Sequence, residues 1–248
     1  MARLVYDEDF YNNQSETSSR SACAVVPILL DLIGPHSVVD VGCGLGTWLA
    51  PFCEYGLVDI LGIDGDYIDR KRLQIPEDCF LSMDLSNPIS LNNRKFDLVL
   101  CLEVAEHIPE INASKLIDFI TTLAPVVFFS AAIPGQGGAC HVNEQWPDYW
   151  SELFGKQGYQ IIDVVRLKIW EMAQVEPWYC QNSFIFVRES QLDRFPDLVA
   201  SASRSQLPLR LVHPELFRRF ASLEYIQSRP MAFTLLARLR RKVFRKKS

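Results

Sequence analysis

The 248-residue sequence lacks the patterns of a secreted, zinc-ribbon or membrane-spanning protein. Its seven cysteines are scattered and form no CxxC pair, which argues for reduced thiols rather than a disulfide or zinc framework. No run approaches the ~18 apolar residues of a membrane span, and the first residues lack the apolar stretch of a signal peptide. These absences predict a cytoplasmic protein.

Basic residues are also scarce, except at the carboxyl terminus. The formal net charge of −5 comes from 25 basic and 30 acidic residues, yet residues 238–248 contain seven of the basic residues and no acidic one. The rest of the chain therefore holds 18 basic against 30 acidic residues, a net charge of −12. Such an acidic body is a poor match for phosphates, so we expect no DNA partner and regard an RNA partner as disfavoured.

Short apolar or β-branched runs alternate with segments of helical periodicity. The runs cover residues 37–41, 58–63, 79–83, 96–102 and 126–131, and helical segments cover 17–33, 47–55 and 114–123. Strands that are apolar throughout are buried on both faces, so this alternation predicts an α/β protein with a doubly wound parallel sheet between two layers of helices. Two further strands, 160–166 and 183–188, are expected on either side of an irregular loop.

The composition changes near residue 190, after which the chain becomes rich in Ser, Pro and Arg. We expect residues 1–190 to form one domain that includes the lead-in helix, and residues 191–248 to form a helical extension. If residues 231–246 are helical, an apolar stripe lies beside a basic stripe. That tail fits peripheral contact with the anionic inner face of a membrane, or docking on the acidic body.

The strongest local pattern is a glycine-rich turn after the first predicted strand. Residues 38–47 read VVDVGCGLGT, so Gly42, Gly44 and Gly46 follow a buried strand and precede a helix. Glycines there let the backbone turn sharply and approach a ligand closely. The spacing is GxGxG rather than the GxGxxG of dinucleotide-binding proteins, and the absence of a following lysine excludes a P-loop.

This turn resembles the first motif of class I S-adenosylmethionine-dependent methyltransferases, (D/E)xGxGxG, of the small-molecule or saccharide type (methyltransferase type 11/23-like). In that family an acid ending the second strand, here Asp64, binds the ribose, and an acid after the third strand, here Asp84, contacts the adenine. The resemblance implies a Rossmann-like fold with a seven-stranded, mostly parallel sheet and S-adenosylmethionine as the cofactor. It assigns cofactor contacts to Asp40, Gly42, Cys43, Gly44, Gly46, Asp64, Gly65, Asp84, Leu85, Cys101 and Glu103.

The residues after the fourth predicted strand exclude several classes of methyl acceptor. Amino-methylating DNA enzymes have (D/N/S)PP(Y/F) there, where this chain has Cys101-Leu-Glu-Val, and cytosine-C5 enzymes use a Pro-Cys pair, where Leu100 precedes Cys101. Protein-arginine enzymes use two glutamates on a hairpin longer than the spacing of Glu103 and Glu106 allows. A small molecule, a saccharide or an RNA terminus remains as the acceptor, and we expect an oxygen, or less readily a nitrogen, of a small molecule or saccharide.

A cluster of acids and histidines is expected beside the cofactor. Glu103, Glu106 and His107 have the i, i+3, i+4 spacing of one helical face, and His141 follows the fifth strand at the same sheet edge. The set is similar to the divalent-metal site of small-RNA 3′-terminal 2′-O-methyltransferases, which implies Mn²⁺, Fe²⁺, Zn²⁺ or Mg²⁺ as an alternative. Without a metal, Glu106, His107 and His141 serve as catalytic or acceptor-site residues.

Two alternatives to the small-molecule enzyme stay open at this stage. One is a metal-dependent RNA 3′-terminal 2′-O-methyltransferase, against which the acidic body counts. The other is a non-catalytic, cofactor-binding scaffold recruited through its basic tail.

Overall fold

The computed structural model describes residues 8–203 and 208–222. The helices are α1 (Glu8–Ile33), α2 (Ala50–Glu54), α3 (Glu110–Leu123), α4 (Pro147–Lys156), α5 (Val165–Ile169), α6 (Pro177–Asn182), α7 (Pro196–Ser203) and α8 (Pro214–Ala221). The strands are β1 (Ser37–Val41), β2 (Asp59–Asp64), β3 (Phe80–Ser82), β4 (Leu98–Leu102), β5 (Val126–Ser130), β6 (Tyr159–Ile162) and β7 (Phe184–Arg188).

The strands form one seven-stranded sheet in the order β3-β2-β1-β4-β5-β7-β6. The first five are parallel, and β7 runs antiparallel between β5 and β6. In the centre, Val39 of β1 pairs with Leu61 of β2 on one side and Val99 of β4 on the other. The predicted seven-stranded, mostly parallel sheet is therefore confirmed.

Helices cover both faces of the sheet, because successive side chains of a strand point to opposite sides. Val38 belongs to an apolar cluster formed with residues of α1, α2, α5 and α6, whereas Val39 belongs to a second cluster formed with α3 and α4. Both valines are fully buried. This arrangement confirms the three-layer α/β/α fold.

The region after β6 differs from its prediction. The strand expected at 160–166 ends at Ile162, and the loop expected beyond it contains two helices, α5 and α6. Pairing with β7 stops at Ile162, and Arg166 lies in α5, where its fully buried guanidinium pairs with Asp163 and donates to the carbonyls of Pro208 and Leu209.

The chain divides into two compact units, one through Leu211 and one from Val212 onward. The described part of the second unit is α8, whose first turn is capped by the His213 imidazole accepting from the backbone N–H of Glu215 (3.3 Å). The expected basic helix at 231–246 lies outside the described residues, and the expected domain boundary at residue 190 stays a prediction. Over the part of the chain that is described, no helix combines the length and apolar character needed to cross a bilayer.

Candidate active site

A cavity of about 320 Å³ lies at the carboxyl ends of β1 to β4, on the sheet edge where a doubly wound fold binds ligands. Eight of the residues that sequence analysis assigned to the site line this cavity: Gly42, Gly44, Asp64, Gly65, Asp84, Leu85, Glu103 and His107. They come from four separate strand ends, which are brought together because parallel strands end at a common edge. Of the described residues lining the cavity, none is Lys or Arg.

Asp64 is the most heavily engaged acid in the cavity. It ends β2 and is buried, with Oδ2 accepting from the Gly44 backbone N–H (2.7 Å) and Oδ1 accepting from that of Gly65 (2.6 Å). Oδ1 also accepts from the Tyr67 hydroxyl at 2.5 Å. These donors fix the carboxylate at the cavity wall, where the family resemblance expects the ribose hydroxyls. Asp84 is exposed and accepts from the backbone N–H of Ser86 (2.9 Å).

The turn after β1 depends on glycine for both conformation and space. Gly42 has φ +88°, and a Cβ at this position would lie 2.2 Å from the Val104 Cγ2. Its backbone N–H donates to the Ile63 carbonyl at 2.7 Å, which ties the turn to β2. The first glycine of the motif therefore permits the turn to pack directly under the segment that follows β4.

We expect Gly42→Ala to lower the free energy of unfolding by about 2–4 kcal/mol, since a positive φ and a clash with Val104 act together. Urea unfolding measures the change. Gly155→Ala is the matched control, because no atom lies within 4 Å of its added Cβ in helix α4. It should raise stability by up to about 1 kcal/mol. Equal stability of Gly42→Ala and wild type would contradict the requirement for glycine at position 42. Adding Val104→Ala to Gly42→Ala should restore part of the lost free energy of unfolding, because it removes the clash.

Four residues expected to contact the cofactor do not line the cavity: Asp40, Cys43, Gly46 and Cys101. Cys101 is fully buried in the apolar cluster beneath the sheet, because its position in β4 turns its side chain away from the edge. Asp40 is buried in β1, where burial and then the charge of Asp64 raise the pKa of its carboxyl well above the usual range. These residues support the cavity from beneath, and their contact with the cofactor stays a prediction.

Glu103 lies directly after β4 in a backbone conformation that L-residues rarely adopt, with φ +54°. Its Oε1 accepts from the Asn182 amide and its Oε2 from the Gln136 amide, both at 3.1 Å. Burial raises the pKa of this carboxyl, while hydrogen bonds from Asn182, Ser130 and Gln136 act in the opposite direction. Both oxygens are thus held by neutral donors from distant parts of the chain.

The structure brings Glu106, His107 and His141 together. One ligand atom from each lies within 4.8 Å of the other two, and the two imidazole rings stand edge to face with centroids 4.9 Å apart. Glu103 lies outside this group of three. The expected single helical face is wrong, because the positive φ of Glu103 separates it from the short 3₁₀ turn Ala105–His107.

Several polar atoms of this cluster are buried without a hydrogen bond of normal geometry to the described residues: both carboxyl oxygens of Glu106 and Nδ1 of His107. Burial, followed by the nearby charge of Glu103, raises the pKa of Glu106 well above its usual range. Burial and then His141 lower the pKa of His107. Because buried polar groups are normally paired, these atoms mark the cluster as a candidate site for an acceptor or a metal ion.

The loop after β5 holds His141 against this cluster. Its Nδ1 lies 3.0 Å from Glu144 Oε1, and the Glu144 carboxylate also accepts from the backbone N–H groups of Gly135 and Gly137. A Cβ at Gly138 would lie 2.2 Å from His141 Nε2, so the imidazole packs against bare backbone. The glycine-rich loop is therefore folded around Glu144, which sets the direction of the imidazole.

Three residues of the site were not predicted from the sequence: Tyr67, Gln136 and Asn182. Tyr67 follows Asp64 by three residues in a turn, which was a usable signal. Gln136 and Asn182 are 33 and 79 residues from Glu103, and no local pattern links them. The only hint was a run of three polar residues, 181–183, immediately before an apolar strand.

The sequence and the fold match known methyltransferases. Residues 14–171 match the family described as "Methyltransferase domain" (Methyltransf_23), whereas no curated protein matches significantly. An amino pentose methyltransferase from Micromonospora echinaspora shares the fold with a TM-score of 0.53 and 15% identity, over 75% of this chain and 98% of that one.

Two other solved structures have similar scores. A magnesium protoporphyrin IX methyltransferase from Synechocystis has a TM-score of 0.51 and 19% identity, over 75% of this chain and 90% of that one. An O-methyltransferase family protein from Burkholderia thailandensis has a TM-score of 0.51 and 11% identity, over 75% of this chain and 60% of that one. At these identities the similarity concerns the fold. Because the family match spans well over half of the chain, this protein belongs to the Methyltransf_23 family and is a class I S-adenosylmethionine-dependent methyltransferase.

Proposed function

We propose that the protein transfers the methyl group of S-adenosylmethionine to a hydroxyl oxygen of a small molecule or saccharide. The observation that carries the proposal is the cluster of Glu106, His107 and His141 beside the cofactor cavity, with His107 also lining that cavity. Methyl transfer is an in-line displacement, so the protein must align the acceptor and take the proton of its hydroxyl group.

His107 has the properties of the group that takes this proton. Burial lowers its pKa, so the imidazole is neutral near pH 7. Its ring lines the cavity, and its buried Nδ1 makes no hydrogen bond of normal geometry to the described residues. His141, edge to face with His107 and fixed by Glu144, is suited to orient the acceptor or the imidazole.

A divalent metal ion is the second candidate for the same three side chains. One carboxyl oxygen and two imidazole nitrogens, all within 4.8 Å of one another, suit Mn²⁺, Fe²⁺ or Zn²⁺ better than Mg²⁺. An ion held there would lower the pKa of an acceptor hydroxyl. In that case Glu106, His107 and His141 hold the ion, and Glu103, tied to Gln136 and Asn182, stays on the cofactor side.

The RNA-terminal and scaffold alternatives receive less support. A metal-dependent RNA 2′-O-methyltransferase would need cations along an acceptor groove, and the chain before residue 238 carries a net charge of −12. A non-catalytic scaffold has no need for a buried, unpartnered acid beside two imidazoles. The basic tail, on which the scaffold hypothesis depends, lies outside the described residues.

Labelled S-adenosylmethionine tests these candidates directly. The full-length protein is incubated with a panel of monosaccharides, glycosides, phenols and amines, and with short RNA carrying a free 3′ end. Each reaction is run untreated, after EDTA, and after EDTA with Mn²⁺ restored. We expect label in an O-methyl product of a small hydroxylated acceptor. Transfer that resists EDTA supports His107 as the base. Activity that is lost with EDTA and returns only with Mn²⁺ supports a metal ion held by Glu106, His107 and His141. Transfer to RNA alone, or to nitrogen alone, would contradict the proposal.

A further inference from the structure

We propose that a second cavity, at the edge of the sheet opposite the active site, binds the phosphate group of a small phosphorylated molecule. This amino-edge cavity has a volume of about 440 Å³ and is lined by parts of the loop 88–95 and of helix α3. The loop leads into the amino end of β4, whereas the cofactor cavity lies at the carboxyl end. Because β4 has five residues, roughly 16 Å separates the two edges. The site is therefore independent of methyl transfer.

Positive charge is concentrated in the amino-edge cavity, although the chain before residue 238 has a net charge of −12. The described lining residues include Arg94, Lys95 and Lys115 against one acid, Asp118. That carboxylate already accepts from the Gln157 amide at 2.6 Å. The lining of the cofactor cavity, by contrast, holds no Lys or Arg among its described residues. An anion is therefore attracted to the amino-edge cavity rather than to the active site.

Contacts within the protein hold two of the three cations in place. Arg94 donates to Asp59 Oδ1 at 2.7 Å, and its guanidinium lies over the Phe96 ring, 4.7 Å from the centroid. The Lys95 ammonium donates to the Thr122 carbonyl at 2.5 Å, near the end of α3. An Arg has five N–H donors and a Lys has three, so each of these exposed side chains keeps donors for a ligand. Side chains that are already ordered lose less entropy when a ligand binds.

Lys115 supplies the charge that the protein itself does not neutralise. It lies on the exposed side of α3 and forms no ion pair or hydrogen bond with the described residues. The loop adds the Ser90 hydroxyl and the Asn93 amide to the same lining. Cations and neutral donors that converge in this way match the several oxygens of a phosphate group, because hydrogen bonds between charged groups are the strong ones.

The size and the inner wall of the cavity favour a phosphate ester over the free ion. Sites for small organic molecules have volumes of about 300–1,000 Å³, and the amino-edge cavity falls within that range, whereas a phosphate ion would fill a small part of it. Phe119 and Leu123 of the wall are buried in the apolar cluster, and Leu91 packs against that cluster. The organic part of the ligand therefore contacts this wall while the phosphate meets the cations.

Calorimetric titration with three probes tests the proposal. Uridine 5′-monophosphate carries a phosphate and an organic part, uridine lacks the phosphate, and inorganic phosphate lacks the organic part. Each is titrated into the full-length protein, with S-adenosylhomocysteine present at saturation to fill the cofactor cavity. The variants are Lys115→Glu and, as the matched control, Lys168→Glu. Lys168 is an exposed lysine of α5 outside the cavity, so both variants change the net charge equally. Thermal unfolding reports on the fold of each.

We expect uridine 5′-monophosphate to bind at least about 10-fold more tightly than inorganic phosphate, and uridine to give no binding heat. Lys115→Glu should weaken binding of the monophosphate by about 10- to 100-fold, the loss that corresponds to a hydrogen bond with a charged group. Lys168→Glu should bind it as wild type does. Absence of monophosphate binding would overturn the proposal, as would equal affinity for uridine or for inorganic phosphate. An equal loss in both variants would also overturn it, because the effect would then come from net charge alone.

Discussion

Asp64→Asn is expected to weaken S-adenosylmethionine binding by about 100- to 1,000-fold, or roughly 3–4 kcal/mol. The carboxylate ends β2 at the cavity wall, and backbone N–H groups of Gly44 and Gly65 already fix its orientation. A carboxylate accepts from both ribose hydroxyls, whereas an amide of the same shape offers one acceptor and presents an N–H to the second hydroxyl. Isothermal titration with the cofactor measures the loss.

The control for this variant is Asp66→Asn. Asp66 lies two residues further along the same turn, is exposed and does not line the cavity, so its replacement should leave cofactor binding unchanged. Because Asp64 also supports the turn, the melting temperature of Asp64→Asn is measured beside its affinity. A folded Asp64→Asn protein that binds the cofactor as wild type does would remove Asp64 from the ribose site.

His107→Asn should lower kcat by about 10²- to 10⁴-fold, the usual contribution of a positioned general base. Affinity for S-adenosylmethionine should be nearly unchanged, because in our proposal the imidazole takes the proton of the acceptor rather than holding the cofactor. Wild-type activity should fall as the pH drops and His107 becomes protonated, and it should be constant above neutrality because burial lowers the pKa of this imidazole. In His107→Asn that acid limb should disappear from the residual activity.

His36→Asn supplies the matched comparison. His36 precedes β1 at the opposite edge of the sheet, with its side chain 95% exposed, so both kcat and the pH profile should equal those of wild type. If His107→Asn kept full activity with an unchanged acid limb, His107 would not be the base. Glu106→Gln distinguishes the metal alternative, since it should abolish Mn²⁺-restored activity while leaving a metal-independent reaction partly active.

The strands and the cofactor acids were predictable because they depend on local patterns. A strand that is buried on both faces must be apolar throughout, and an acid at its carboxyl end must face the common edge of a parallel sheet. Asp64 and Asp84 stand at such strand ends, the family resemblance marked them as cofactor acids, and both line the cavity. Cys101 does not line the cavity and is buried in the apolar cluster on one face of the sheet, so its contact with the cofactor stays a prediction.

The cluster beside the cofactor was only partly predictable. The spacing of Glu103, Glu106 and His107 favoured one helical face, but the positive φ of Glu103 breaks that periodicity, and no sequence pattern announces a strained backbone at a glutamate. The strain depends on Ser130, which holds the Glu103 N–H from the neighbouring strand. A contact of this kind exists only once β4 and β5 have paired.

The sequence by itself determined the fold class, the glycine turn, the acids at the strand ends and the cofactor that they serve. The fold class, the turn and the strand-end acids follow from short-range periodicity and from the steric demands of a tight turn, whereas the cofactor follows from the resemblance of these motifs to those of class I methyltransferases. Only the tertiary structure decided that Glu106, His107 and His141 form a group of three possible ligands without Glu103, and that Gln136 and Asn182 hold Glu103. Packing of β5 and α6 against β4 brings those amides together across up to 79 residues, a distance over which neighbouring residue types carry no signal.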